Sequence, residues 1–295
     1  MLEVLKVIIL GIVEGLTEFL PVSSTGHLIL VNEFVKLQPE HFANAFNVII
    51  QLGAILAVVV IYFERLNPFP KAKLDHGKYP KQLEEKGSKH RWIKKFYYWL
   101  THNETVTLWL KIIIAIIPSG IIGVLFDDKI DEKLMNPITV SIALVFYGVV
   151  IILMENKNKN RTDYKYESAS QIPFSTALGI GFFQCLALVP GTSRSASTII
   201  GAMILGLNRT AAADFSFFLA IPTMVGATLV KIVKAKGLTL NQWGLILLGF
   251  IVSYIVAYFV IKKFLGYIKN NDFKVFGYYR VILGLLVLLY FSLFK

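Results

Sequence analysis

The chain has 295 residues, of which 55% are hydrophobic and 17% charged, a balance that belongs to integral membrane proteins and excludes an ordinary soluble domain. Its formal charge of +11 does not signal a nucleic-acid partner, because the lysines and arginines gather in polar connections between apolar segments, where the positive-inside rule already expects them. Cys185 is the only cysteine, which excludes an internal disulfide and argues against a thiolate metal site.

From Leu5 the chain reads as an apolar helix to Leu20. It lacks the strongly basic start of a signal peptide, and Glu14 and Glu18 interrupt it, so it is expected to stay in the mature protein. Pro21, the serines 23 and 24 and Gly26 break this helix, and His27 to Val35 resumes as an arm too short to cross a bilayer. A broken pair of this kind reads as re-entrant, which lipid tolerates only where the exposed backbone lines a protein cavity. The first full span runs from Ala45 to Phe63.

The connection from Glu64 to Asn103 carries Arg65, Arg91 and eight lysines, which places it in the cytoplasm. Within it Trp92, Phe96 and Trp99 recur at helical spacing beside Lys94 and Lys95, as in a helix lying among headgroups. Spans Leu108 to Phe126 and Ile138 to Met154 follow, joined by what reads as an acidic turn, Asp127 to Glu132.

A polar connection over 156–171 then divides a first half, 1–155, from a second, 172–295. The second half repeats the pattern of the first. An apolar arm from Pro173 to Val189 is broken at Pro190 and Gly191, Ser195 to Leu207 resumes, and spans Phe215 to Val233, Trp243 to Ile261 and Val275 to Phe294 follow. One shift aligns Pro21 with Pro190 and Phe46 with Phe215, and it sets Ser24 on Ser193 and Thr25 on Arg194. Three spans per half is odd, so the halves insert in opposite senses. The expected architecture is an all-α polytopic membrane protein with an inverted-topology repeat, six transmembrane helices and two re-entrant pairs whose polar tips meet near the midplane.

The tips carry the chemistry. Glu14 and Glu18 are one helical turn apart on one face. Charged and unpaired in the bilayer, these two with Arg194 would cost on the order of 8 to 10 kcal/mol, so they must pair, and intramembrane ionisable groups are functional by default. The helix that restarts after each break points its first amides and its dipole into the cavity, which suits an anion. Arg194 adds a planar fork of donors matched to phosphate, and Ser23, Thr25, Thr192 and Ser193 add hydroxyls. Ser24, three residues from His27, supplies a candidate nucleophile beside a titratable base, with Glu18 as the alternative base and His27 or water as the alternative attacking group. Glu14 and Glu18 suit a Mg²⁺ or Ca²⁺ ion shared with phosphate oxygens.

These residues, EGLTEFLPVSSTGH over 14–27 and PGTSRSAST over 190–198, resemble the bacitracin-resistance type of undecaprenyl-diphosphate phosphatase. The resemblance extends to FNVIIQLGAILAV over 46–58, GFFQCLALVPG over 181–191 and FSFFLAIP over 215–222. It implies a bacterial plasma-membrane enzyme that removes the terminal phosphate of undecaprenyl diphosphate, with an outward-facing site, a divalent cation and a homodimer. By position, the functional residues it implies are Glu14, Glu18, Ser23, Ser24, Thr25, His27, Ser193, Arg194 and Thr198. Ala196 departs from the glycine of that pattern, and the basic connection is long for it. The rival reading is a transporter or lipid-carrier flippase, since inverted repeats with broken helices are also transporter architecture.

Overall fold

The computed structural model describes residues 1–69, 103–159, 161–234 and 237–294. The amphipathic helix expected around Trp92, Phe96 and Trp99 lies outside them. Where the sequence offers some twenty apolar residues the chain forms long helices, because a backbone in lipid must satisfy its own hydrogen bonds. Among the described residues, and apart from the short helical turns Phe63–Leu66 and Leu186–Leu188, the order is α1 (Leu2–Thr17), α2 (Ser24–Val35), α3 (Glu40–Ile49), α4 (Gln51–Ile61), α5 (Glu104–Leu134), α6 (Pro137–Lys157), α7 (Phe174–Cys185), α8 (Arg194–Ile204), α9 (Arg209–Lys234), α10 (Leu240–Ile268) and α11 (Lys274–Phe294).

Among the described residues, six helical stretches are long and apolar enough to cross a membrane: Glu40–Ile61, Glu104–Phe126, Pro137–Lys157, Arg209–Val233, Leu240–Ile268 and Lys274–Leu293. These are the six expected spans, five of them longer than the apolar core read from the sequence and the last, Lys274–Leu293, of the same length. The protein is an all-α, polytopic membrane protein.

Local chemistry sets the helix ends. Asn103 opens α5 by accepting from the amides of Thr105 and Val106, and Asn136, followed by Pro137 in the first turn, opens α6. Thr239 and Gln242 form a reciprocal capping box at the start of α10. One expectation fails here. The acidic stretch 127–132 is not a turn, since α5 continues through it to Leu134 and the chain reverses at Met135 and Asn136. Nothing between Asp127 and Glu132 breaks a helix, whereas Asn136–Pro137 stops one and starts the next.

Two packings mirror one another between the halves. α1 lies along α10, and α7 lies along α5. Each contact is made close by a glycine: a Cβ on Gly11 would sit 2.8 Å from the Gly249 carbonyl oxygen, and one on Gly181 would sit 2.1 Å from that of Ala115. α6 packs on α11, and α9 packs on α3 and α4. The core collects Phe19, Ile112, Phe215, Phe217 and Phe218, all fully buried, with Phe19 edge-on to Phe217 at 5.0 Å. Large apolar side chains such as Ile142, Phe146, Leu247, Ile251, Leu285 and Leu289 stay exposed on the outside, a surface that only lipid accommodates.

Two buried carboxylates serve this packing rather than a site. Glu155, fully buried, takes the Arg209 guanidinium at 2.5–3.2 Å and the Phe273 amide at 3.1 Å. Asp214 accepts from the Tyr62 hydroxyl and from Arg65, each at 2.5 Å.

Candidate active site

Both breaks use the same local device. Ser23 (φ 74°) and Ser193 (φ 75°) are left-handed N-caps, and their hydroxyls accept from the amides of Gly26 and Ala196, each at 3.2 Å. Left-handed backbone is strained for serine, and such outliers concentrate at functional sites. The two caps also correspond locally. Ser23 is the counterpart of Ser193, which moves the match at the tips by one residue from the register read in the sequence and sets Ser24 on Arg194.

The first break turns immediately after Glu18, which closes α1 by donating its amide to the Glu14 carbonyl at 3.0 Å. The second break reaches the same place. The Ser195 hydroxyl donates to the Leu20 carbonyl at 2.9 Å, and Arg194 Nη2 meets Glu18 Oε1 at 3.2 Å. The two tips therefore touch, as their polarity required.

Glu18, 5% exposed, is the hub. Its Oε2 accepts the Ser24 hydroxyl at 2.5 Å while its Oε1 faces Arg194. Arg194 is also held through Nη1 by the Ser216 carbonyl at 2.8 Å, and its Nε has no partner among the described residues. Thr198, fully buried, bonds the Ser216 hydroxyl at 2.7 Å and the Arg194 carbonyl at 2.9 Å, so it buttresses the arginine. Ser193 pairs with Ser195 at 3.0 Å. Thr25 lies half-buried in the first turn of α2.

His27 is turned elsewhere. Its Nδ1 lies 2.7 Å from the Ser23 carbonyl, and its Nε2 lies 2.6 Å from the Tyr279 hydroxyl. Neither nitrogen addresses Ser24, whose proton goes to Glu18.

Sequence reasoning missed one central residue. Arg280 of α11 is fully buried and donates to the carbonyls of Pro21 (3.1 Å), Gly191 (2.8 Å) and Thr192 (2.9 Å), with longer bonds to Ala143 and Leu144 (both 3.4 Å). It staples both breaks to each other. The signal was present, since Arg280 is the only charged residue between Val275 and Phe294, and a charge inside a span calls for an explanation.

Several buried polar groups here are unsatisfied. Both oxygens of the fully buried Glu14, the Thr192 hydroxyl and Arg194 Nε lack partners among the described residues. Buried polar atoms are nearly always satisfied. A carboxylate and a guanidinium nitrogen unsatisfied together match a ligand that combines an anion with a cation. The Glu14 oxygens fit a hard divalent ion, whose six to eight oxygen ligands would have to come in part from that anion, since no group of three or more His, Cys, Asp or Glu side chains gathers among the described residues.

The profile of the bacitracin resistance protein BacA family matches residues 7–286. The chain is 52% identical over 295 residues to undecaprenyl-diphosphatase 1 of Clostridioides difficile strain 630, covering 99% of this chain and 98% of the relative. It is 52% identical to the undecaprenyl-diphosphatase of Limosilactobacillus fermentum, covering 99% of both chains, and 49% identical to that of Lactiplantibacillus plantarum over the same share.

Proposed function

Because the chain belongs to the bacitracin resistance protein BacA family, we propose that it hydrolyses undecaprenyl diphosphate to the monophosphate and inorganic phosphate. This returns the lipid carrier to cell-wall synthesis and confers resistance to bacitracin. The observation that carries the chemistry is the unbroken line from Ser24 through Glu18 to Arg194.

In this reading Ser24 Oγ attacks the terminal phosphorus as its proton passes to Glu18 Oε2. The bond from that phosphorus to the bridging oxygen breaks, and the lipid monophosphate leaves. Water then attacks the phosphoserine and gives a proton to the departing phosphate, while Glu18 returns its own to Ser24. Arg194, through its unpartnered Nε, and the first amides of α2 and α8 stabilise the equatorial oxygens. Ser23, Thr25, Ser193 and Thr192 complete the phosphate cradle, with Thr198 behind Arg194. Glu14, with Glu18 beside it, would hold a Mg²⁺ or Ca²⁺, whose chemistry there is neutralisation of diphosphate charge.

The mirrored packing and the paired left-handed serines support an inverted repeat of 1–155 and 172–295, with both helix pairs re-entrant. Basic residues over 64–103, 156–171 and 262–274 put those connections in the cytoplasm of a bacterial plasma membrane. The first pair then enters from the outer face, where the site opens, and the protein works as a homodimer. A transporter of the same architecture would have no use for a serine hydroxyl donated to a buried carboxylate.

The test is phosphate release from a polyprenyl diphosphate by the purified protein in detergent. Wild type is expected to release phosphate, and Ser24→Ala and Glu18→Gln to lose nearly all of it. Full activity in Ser24→Ala would give the attack to water, and an inactive, well-folded wild type would overturn the reading.

A further inference from the structure

Tyr279 has no role in the chemistry above, and its position gives it one. Its side chain on α11 is 44% exposed, and its hydroxyl lies 2.6 Å from His27 Nε2. The two rings lie nearly parallel, 4° apart, with centroids 5.6 Å from each other.

The far side of the imidazole fixes the proton's location. Nδ1 faces the Ser23 carbonyl at 2.7 Å, and a carbonyl can only accept, so Nδ1 carries the hydrogen. In the neutral ring Nε2 is then an acceptor, and the Tyr279 hydroxyl must donate to it. The Ser23 carbonyl that His27 holds also takes the His27 backbone amide at 3.2 Å. This carbonyl belongs to the left-handed residue that sets the break, and the next residue is Ser24.

We propose that Tyr279 is a positioning residue for the phosphatase reaction: it locks His27 in the Nδ1–H form, which pins the Ser23 carbonyl and with it the strained turn that presents Ser24 to Glu18. His27 then acts through its Nδ1 donor on the backbone, and its Nε2 takes no proton from substrate. This rests on the function proposed above, and the experiment keeps the two separable.

Tyr279→Phe removes one hydroxyl donor and keeps the ring, so kcat should fall about fivefold to tenfold, the scale of one hydrogen bond, with KM changing less. In a protein labelled with ¹⁵N at histidine, the His27 signal should report a proton on Nδ1 in wild type and a mixture of tautomers in Tyr279→Phe. His27→Asn puts an amide donor near the place of Nδ1, and His27→Gln puts one near the place of Nε2. The asparagine variant should retain several-fold more activity than the glutamine or alanine variants, and Tyr279→Phe should add no loss to His27→Ala. A wild-type proton on Nε2, rescue by glutamine instead of asparagine, or an undiminished Tyr279→Phe effect in the His27→Ala background would overturn the proposal. A wild type that releases no phosphate would sink the phosphatase reading, while the tautomer measurement would still decide the contact.

Discussion

Glu18 is the residue on which the site turns, because its two oxygens divide between Ser24 and Arg194. Glu18→Gln keeps the shape and removes both the base and the counter-charge. Activity should fall about 10²- to 10⁴-fold, the usual contribution of a positioned base, measured as phosphate release. Arg280→Met tests the opposite kind of residue, one that touches backbone only. It leaves the Pro21, Gly191 and Thr192 carbonyls without their donor, and each bond from a charged donor is worth about 1.5 to 3 kcal/mol. A lower thermal midpoint in detergent together with a lower kcat is expected, and an unchanged midpoint would remove the staple. The two residues also differ in how far the sequence discloses them. Glu14, Glu18 and Arg194 declare themselves as charges in apolar surroundings. Arg280 obeys the same rule but has no polar neighbour in sequence to mark it, since its partners are carbonyls from three distant segments. The direction of the His27 ring was beyond sequence altogether, because three residues from Ser24 permits contact and does not require it.

At the scale of elements, the six spans were legible because some twenty apolar residues in a row leave a helix as the only satisfied backbone. The breaks were legible through Pro21, Pro190 and Gly191, but their geometry was not. The cap of each restarting helix is a serine in the left-handed region, a conformation its residue type does not advertise. That is why the local match of the two caps, Ser23 with Ser193, differs by one residue from the shift that aligns Pro21 with Pro190. Gly191 is the part of this element that composition does reveal. Its φ is +90°, and a Cβ there would lie 2.5 Å from the Val140 carbonyl oxygen in α6. Gly191→Ala therefore meets backbone strain of about 1 to 3 kcal/mol and a clash with a rigid helix. The second tip must shift, carrying with it the carbonyl that Arg280 holds. Phosphate release should drop at least tenfold, the factor that corresponds to about 1.4 kcal/mol, while the protein stays folded in detergent. Full activity in this variant would mean that the tip's position does not set the rate.

The whole molecule poses a question of sidedness. If the halves insert in opposite senses, the connections at Met135 and Leu240 share one side of the membrane, and those at Asn156 and Asn270 share the other. The basic residues Lys157, Lys159, Arg161 and Lys165 flank the first of the latter, and Lys262, Lys263, Lys269 and Lys274 the second, so the positive-inside rule predicts both in the cytoplasm. All four probe positions are exposed, and Cys185 is the only native thiol, so a Cys185→Ala background gives a clean test. In intact cells a membrane-impermeant maleimide should label Met135→Cys and Leu240→Cys, and it should reach Asn156→Cys and Asn270→Cys only after lysis. The reverse pattern would keep the repeat and turn the site toward the cytoplasm. Met135 and Leu240 on opposite sides would remove the inverted repeat itself. If the impermeant reagent reaches Met135→Cys and Leu240→Cys, the first helix pair, which carries Glu14, Glu18, Ser24 and His27, would enter from the outer side, the side of its own flanking loops. A diphosphate headgroup presented in the outer leaflet then reaches Ser24 without crossing the bilayer, while its isoprenoid tail stays in lipid along the apolar outer face.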